Sequence, residues 1–164
     1  IRDRSGVEEQ SGSIRGLGLI PMTTYFHEEK SRKQVTGHMG AVTGIFAGLK
    51  GLDVTGYEIH MGQSIYETQP CRLVELTDTR TQESNEDGYA SDRVYGSYVH
   101  GIFDRHEIVE TILGALAQEK GIEAPSEHIL DYCAYKETQY DRLAEELRNA
   151  VDMSRIYEIM DKGV

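Results

Sequence analysis

The spacing of apolar residues changes once along this chain, just after His100, and that change limits what the chain can fold into. Upstream, short extended stretches are punctuated by glycine. Downstream, Ile108, Ile112, Ala115 and Leu116 form one stripe at helical spacing, Val109 and Leu113 widen it, and Gly121 is placed as a stop. Pro125-Ser126 opens a second helical stretch. From Tyr140 onward Leu143, Leu147 and Val151 recur every four residues, and Ile156, Ile159 and Met160 continue an apolar face. Strands first and helices last, with no long linker, predict one mixed α/β unit rather than separate domains. A length of 164 residues suits one domain with a real core.

Among the extended stretches, Leu17-Gly18-Leu19-Ile20 ends at Pro21, and Gln34 to Met39 follows a charged turn at Glu28 to Lys33. Thr43 to Leu52 reads as a loop or a short helical turn, because its glycines weaken a helix. Val54 to Met61 reads as a strand with Tyr57, Ile59 and Met61 on one face and Glu58 and His60 on the other. Cys71 to Leu76 is a further short strand, and the polar, acidic segment Thr77 to Gly88 is expected to be a mobile hairpin loop. Val94 to His100 is the last expected strand, with Gly101 allowing a sharp turn directly after it.

Charge removes some functions. Seventeen basic against twenty-eight acidic side chains give a net charge of −11. That balance argues against nonspecific nucleic-acid binding, which needs Lys and Arg against phosphates, and against a polybasic membrane surface. No apolar run reaches the length of a membrane span, and the first residues show no signal-peptide pattern. Cys71 and Cys133 belong to no metal-ligand or CxxC spacing, which points to a reducing, cytoplasmic setting. The start Ile1-Arg2-Asp3-Arg4 has no initiator Met and suggests a piece of a longer protein.

His100, at the carboxyl end of a strand, is where open α/β sheets place reactive groups. Taken alone, the segment reads more simply as a His capping a strand. Glu58 and His60 lie side by side, close enough to share a hydrogen bond or a ligand; the ordinary reading is a half-buried strand with its polar face in solvent. The glycines framing that strand suggest close backbone approach. A metal site from His38, His60 and His100 finds no support in ligand spacing. No G-x-S-x-G elbow and no P-loop or GxGxxG are present, so neither a serine hydrolase nor nucleotide binding within this chain is indicated. Both cysteines read as packing residues.

Four segments taken together carry a resemblance. They are Gly16-Leu17-Gly18-Leu19-Ile20 with Thr24, Phe26 and Lys30 behind it; Val35-Thr36-Gly37; Gly56-Tyr57-Glu58-Ile59-His60-Met61-Gly62; and Gly96-Ser97-Tyr98-Val99-His100-Gly101-Ile102-Phe103. In this order the chain resembles the C-terminal glutamine amidotransferase domain of the cobyric acid synthase family. Tyr140-Asp141-Arg142-Leu143-Ala144 and Arg148 to Asp152 resemble its last helices, so the likeness runs from about residue 3 to the end. The Tyr-Glu-Ile-His-Met-Gly string is the specific part; the sibling cobyrinic acid a,c-diamide synthases usually carry a Gly-His-Glu-Phe-His version.

The resemblance implies the C-terminal portion of a flavodoxin-like class I glutamine amidotransferase fold, α/β, with a mixed sheet and flanking helices. It implies that His100 partners a cysteine nucleophile on a Gly-flanked elbow upstream of residue 1, and that glutamine is the ammonia source. ATP and Mg2+ are implied for an N-terminal synthetase domain of the same polypeptide rather than for this chain, and an adenosylated corrinoid is the implied acceptor. Family relatives complete a triad with a Glu two residues after the His. Here that position is Ile102, as in the cobyric acid synthase group, so a Cys-His dyad is expected. Arg15, Lys30 and Arg93 are candidate contacts for the acidic corrinoid, and Glu58 and His60 for structural support or substrate contact. A sheet without its upstream strands would expose an edge and an apolar face and favour self-association. Two alternatives stand beside this reading: a glutaminase for another acceptor, cobyrinic acid or a cell-wall lipid precursor, and an inactive docking module on the same fold.

Overall fold

The structure, a computed structural model, describes residues 1–4, 6–7, 11–68, 71–91, 93–124 and 130–163. The chain divides into two compact units, 1–129 and 130–164. The first opens with two short strands, β1 (Arg2–Asp3) and β2 (Gly12–Ser13), followed by two long ones, β3 (Met22–Met39) and β4 (Asp53–Tyr66). Next come β5 (Val74–Asp78), β6 (Ser84–Asp87), β7 (Tyr89–Ala90), β8 (Tyr95–Gly96), β9 (Val99–His100) and helix α1 (His106–Lys120). Seven strands form the main sheet: β2-β1-β3-β4-β9 in order, with β5 also pairing β3 and β6 pairing β5. The sheet is mixed, since β1 runs parallel to β3 while its other pairs are antiparallel. The expected α/β architecture with a mixed sheet and a flanking helix is therefore present.

The expected turn at Glu28 to Lys33 is instead the middle of β3. The β3–β4 register shifts between Phe26 and Ser31, so that His27 to Lys30 stand against Met61 alone. An irregularity of this kind absorbs extra residues and bends the strand without ending it. His27 to Lys30 are all exposed there, so their side chains stay solvated.

Thr77 to Gly88 is likewise ordered, not a mobile loop. Val74 to Thr77 pairs with Ser84 to Asp87. The buried Asp78 carboxylate accepts the backbone N–H groups of Arg80 (2.7 Å) and Thr81 (3.2 Å) and so closes the turn. Those two donors favour the charged form and hold the Asp78 carboxyl below its ordinary range. The single strand expected from Val94 to His100 is two short pieces. Tyr95–Gly96 pairs with β7 in a separate ladder, and only Val99–His100 joins β4.

The core lies against one face of the sheet. Val35, Val54, Val74, Leu76 and Val99 point into it and meet Leu49 from a 3-10 turn at Gly44–Leu49 and Ile108 from α1. Each such aliphatic side chain contributes roughly 1.5–3 kcal/mol on full burial. The helical stripe read from the sequence is the face of α1 that does this, with Ile112 packed beside Ile108. Gly121 ends the helix at φ +66°, donating to the carbonyls of Ala117 and Gln118.

The second unit holds α2 (Tyr132–Ala150) and α3 (Met153–Lys162). Asp131 caps the first by accepting the N–H of Ala134, and Asp152 caps the second by accepting that of Arg155. The expected opening at Pro125-Ser126 lies outside the described residues. The apolar stripe of Leu143 and Leu147 falls on α2 as expected, and both side chains are exposed. Among the described residues no helix is long and apolar enough to cross a membrane.

Candidate functional site

His100 is the last residue of β9 and pairs with Tyr57 of β4, as Val99 pairs with Glu58. Residues directly opposite in an antiparallel pair share a face. Val99 and Glu58 therefore point into the covered face, and both are buried, whereas His100 and Tyr57 point outward and are exposed. Among the described residues no side chain hydrogen-bonds the His100 imidazole. Gly101 follows in the left-handed region at φ +86°, which turns the chain into a short 3-10 turn at Ile102–Asp104 and then into α1. The imidazole is thus presented at a sheet edge by a two-residue strand and a sharp turn.

The glycines framing the Tyr57 to Met61 stretch do permit close approach. A Cβ on Gly56 would lie 2.2 Å from the His100 carbonyl oxygen, and one on Gly62 would lie 2.8 Å from that of Tyr25. The β4–β9 pairing that places His100 requires glycine at 56.

Glu58 and His60 share a face, but it is the covered one, which corrects the expectation of a solvated polar face. Glu58 is only 4% exposed, while Tyr57 and Ile59 on the other face are 52% and 42% exposed. The reason is that Asn85 and Asp87 of β6, with Lys33, His60 and Tyr98, enclose the Glu58 carboxyl. Burial, and then the nearby Asp87 carboxylate, push the Glu58 carboxyl above its ordinary range; His60, Lys33 and a hydrogen bond from Asn85 oppose them. His60 stacks on Tyr98 with ring centroids 4.7 Å apart, and its Nδ1 hydrogen-bonds the Gly62 carbonyl oxygen at 2.8 Å. With Lys33, Ser64, Tyr66, Arg72 and Asp87 they line a polar cavity of about 330 Å3.

The remaining candidates fall apart. His60 faces away from His38 and His100, so the three do not converge on one metal. Among the described residues no group of three or more His, Cys, Asp or Glu could hold a metal ion. The half-buried Cys71 directs its thiol to the Ala41 carbonyl oxygen at 2.8 Å. Cys133 is exposed on α2, so the packing role expected for it does not hold there. Arg93 pairs with Glu119 at 2.7 Å, whereas Arg15 and Lys30 are exposed.

Asp87 and Ser64, not singled out from the sequence, hold the approach to His100 through Ser97 and Tyr98. Asp87, itself buried, accepts hydrogen bonds from the Ser97 hydroxyl (2.7 Å) and the Tyr98 N–H (2.8 Å). The Tyr98 hydroxyl reaches Ser64 at 2.6 Å. The one available signal was the Asp87-Gly88 pair, a turn dipeptide, which marks a bend but not its partner.

Residues 1–108 match the CobB/CobQ-like glutamine amidotransferase domain. The chain is 39% identical over 175 residues to a cobyric acid synthase of Lachnoclostridium phytofermentans, covering all of this chain and 33% of that protein. It is 42% identical over 166 residues to a cobyric acid synthase of Ruminiclostridium cellulolyticum, again over the whole chain and 32% of the relative. A Photorhabdus laumondii cobyric acid synthase is 38% identical over 159 residues, covering 94% of this chain and 31% of its own length. The chain therefore spans about a third of the length of the curated relatives it matches. The mixed sheet, the flanking helix and the Gly56–Gly62 and Gly96–Phe103 segments all lie within or against the matched region. The chain belongs to the CobB/CobQ-like glutamine amidotransferase family.

Proposed function

We propose that this chain is the glutaminase portion of a cobyric acid synthase. In that role it releases ammonia from glutamine for ATP-dependent amidation of peripheral carboxylates on adenosylcobyrinic acid a,c-diamide, in cobalamin biosynthesis and in the cytoplasm. The match of essentially the whole chain to proteins of that name carries the reading. The presentation of His100 supports it: an imidazole exposed at a sheet edge, with no side-chain partner among the described residues, is open to a group brought from elsewhere.

His100 acts as the base of a Cys-His dyad whose cysteine lies upstream in a longer polypeptide. The imidazole takes the thiol proton, and the thiolate attacks the side-chain amide carbon of glutamine. His100 then hands its proton to the departing ammonia, leaving a thioester. It next removes a proton from water, which cleaves the thioester to glutamate and returns the free thiol. Alone, this chain holds the base and not the nucleophile.

Among the described residues no glycine-rich loop opens a helix in P-loop fashion and no carboxylate cluster fits a metal. ATP and Mg2+ are assigned in this reading to the synthetase part of the longer polypeptide. Arg15 and Lys30, both exposed, are candidate contacts for an acidic corrinoid.

The test is His100→Ala in the full-length polypeptide. Glutamine-driven amidation should fall by roughly 10²–10⁴-fold while ammonia-driven amidation persists. Equal loss of both would make His100 structural, and an upstream coding sequence lacking a Gly-flanked Cys would favour an inactive docking module.

A further inference from the structure

His100 poses a mechanical problem. A base has to be held within a fraction of an ångström, and misplacement by about 1 Å costs on the order of 100-fold. Yet His100 rides on a two-residue strand, and Ile102, two residues on, has no side-chain group that could orient the imidazole. Something else has to fix it.

The hydrogen bonds around the preceding residues identify a single anchor. Asp87 Oδ2 accepts both the Ser97 hydroxyl at 2.7 Å and the Tyr98 N–H at 2.8 Å. The Ser97 Oγ in turn accepts the Val99 N–H at 3.0 Å. One carboxylate thereby organises three consecutive residues leading into His100. Asp87 is itself fixed: it closes the β5–β6 ladder opposite Val74, and its carbonyl accepts the Leu73 N–H at 3.1 Å. It is also buried, which limits competition from water for these bonds. Beside it Gly88, at φ +83°, allows the chain to come against Gly96; a Cβ there would lie 2.4 Å from the Gly96 carbonyl oxygen. The far side of the segment is held too, by Tyr98 reaching Ser64 and stacking on His60.

We propose that Asp87 is the positioning residue for His100, doing through the Ser97–Val99 backbone what a triad carboxylate does by direct contact with the imidazole. This rests on the reading of His100 as the base. Asp87 makes no hydrogen bond to the imidazole; it sets where β9 emerges beside β4.

The experiment uses the full-length polypeptide and compares Asp87→Ala, Asp87→Asn, Ser97→Ala and His100→Ala. Asp87→Ala should lower kcat for glutamine hydrolysis by about 100-fold, with KM for glutamine and ammonia-driven amidation unchanged. Asp87→Asn, whose amide oxygen can accept the same two bonds, should recover most of the rate, and Ser97→Ala should fall between. Full glutaminase activity in Asp87→Ala, or an Asp87→Asn no faster than Asp87→Ala, would overturn the proposal. So would parallel loss of ammonia-driven activity in all three positional variants. If Asp87→Ala does not fold, the ranking of Asp87→Asn above Ser97→Ala still decides. His100→Ala separates the two readings. An active His100→Ala sinks the base assignment itself, whereas an inactive His100→Ala beside a fully active Asp87→Ala sinks only the positioning role.

Discussion

The two faces of β4 carry opposite chemistry to opposite surroundings. On the covered face Val54 and Glu58 are buried and His60 is half-buried; on the open face Tyr57, Ile59 and Ile65 are exposed, and His100 joins them from β9. Hydrophobic burial alone would turn the strand over, because Glu58 costs free energy to desolvate and Ile59 gains by it. The pairing of β4 with β3 and β9, together with α1, fixes the orientation instead. The open face is thus the one on which reactive chemistry is presented, and the covered face is the one that holds it in place. An exposed apolar patch beside a base fits a surface that takes up further protein in the proposed longer polypeptide.

The largest expected effect tests whether the faces differ as described. Ile108→Ala removes a side chain packed against the covered face and should cost about 2–5 kcal/mol. Ile59→Ala, on the open face, should change stability by no more than about 0.5 kcal/mol. Denaturant midpoints at constant slope would read both. Comparable losses at the two positions would show that the open face is covered in solution by a second copy of the chain, which a concentration-dependent midpoint would reveal.

Gly56→Ala comes next and probes the seam between the faces. The added Cβ would meet the His100 carbonyl oxygen at 2.2 Å and Val99 Cγ1 at 2.8 Å, so β4 and β9 must separate. Overpacking of this kind costs roughly 1–3 kcal/mol. Because the atoms displaced belong to His100 itself, the loss of glutamine-driven activity should exceed what the stability change accounts for. A variant with weakened stability and full activity would mean that the β4–β9 spacing does not set the position of the base.

What the sequence made legible follows the range of the interactions. The α1 stripe, its stop at Gly121 and the strand through Val54 to Met61 depend on neighbours a few residues away, and all were readable. The continuity of β3 through Glu28 to Lys33 depends on its register with β4, some thirty residues on, so local charge misled. The order of the 77–88 hairpin rests on Asp78 folding back onto its own turn, and polarity hid it. The burial of Glu58 comes from Asn85 and Asp87, nearly thirty residues downstream, and no alternation pattern encodes which face is covered. The position of His100 was legible from its strand-end setting and from family resemblance. The Asp87 anchor was not, because a carboxylate ten residues away in a polar segment reads as solvated surface.

The smallest effect concerns Glu58 and is one of pH. Burial and Asp87 raise its folded-state carboxyl above the unfolded value. An acid with a raised folded pKa contributes its full stability below the unfolded pKa and loses it as pH climbs through the folded one. Glu58→Gln keeps the hydrogen-bonding shape without the charge, so it should gain on the parent as pH rises through and above the ordinary carboxylate range, by no more than about 1.4 kcal/mol per pH unit. Asp78 titrates the other way, since its lowered carboxyl loses stability as pH falls, and Asp78→Asn should narrow its gap to the parent in acid. Opposite slopes for the two substitutions would separate a carboxylate that resists ionisation inside the covered face from one held ionised by its own turn. A flat difference for Glu58→Gln would mean that water reaches Glu58, and the contrast between the two faces of β4 would then be one of shape rather than of solvation.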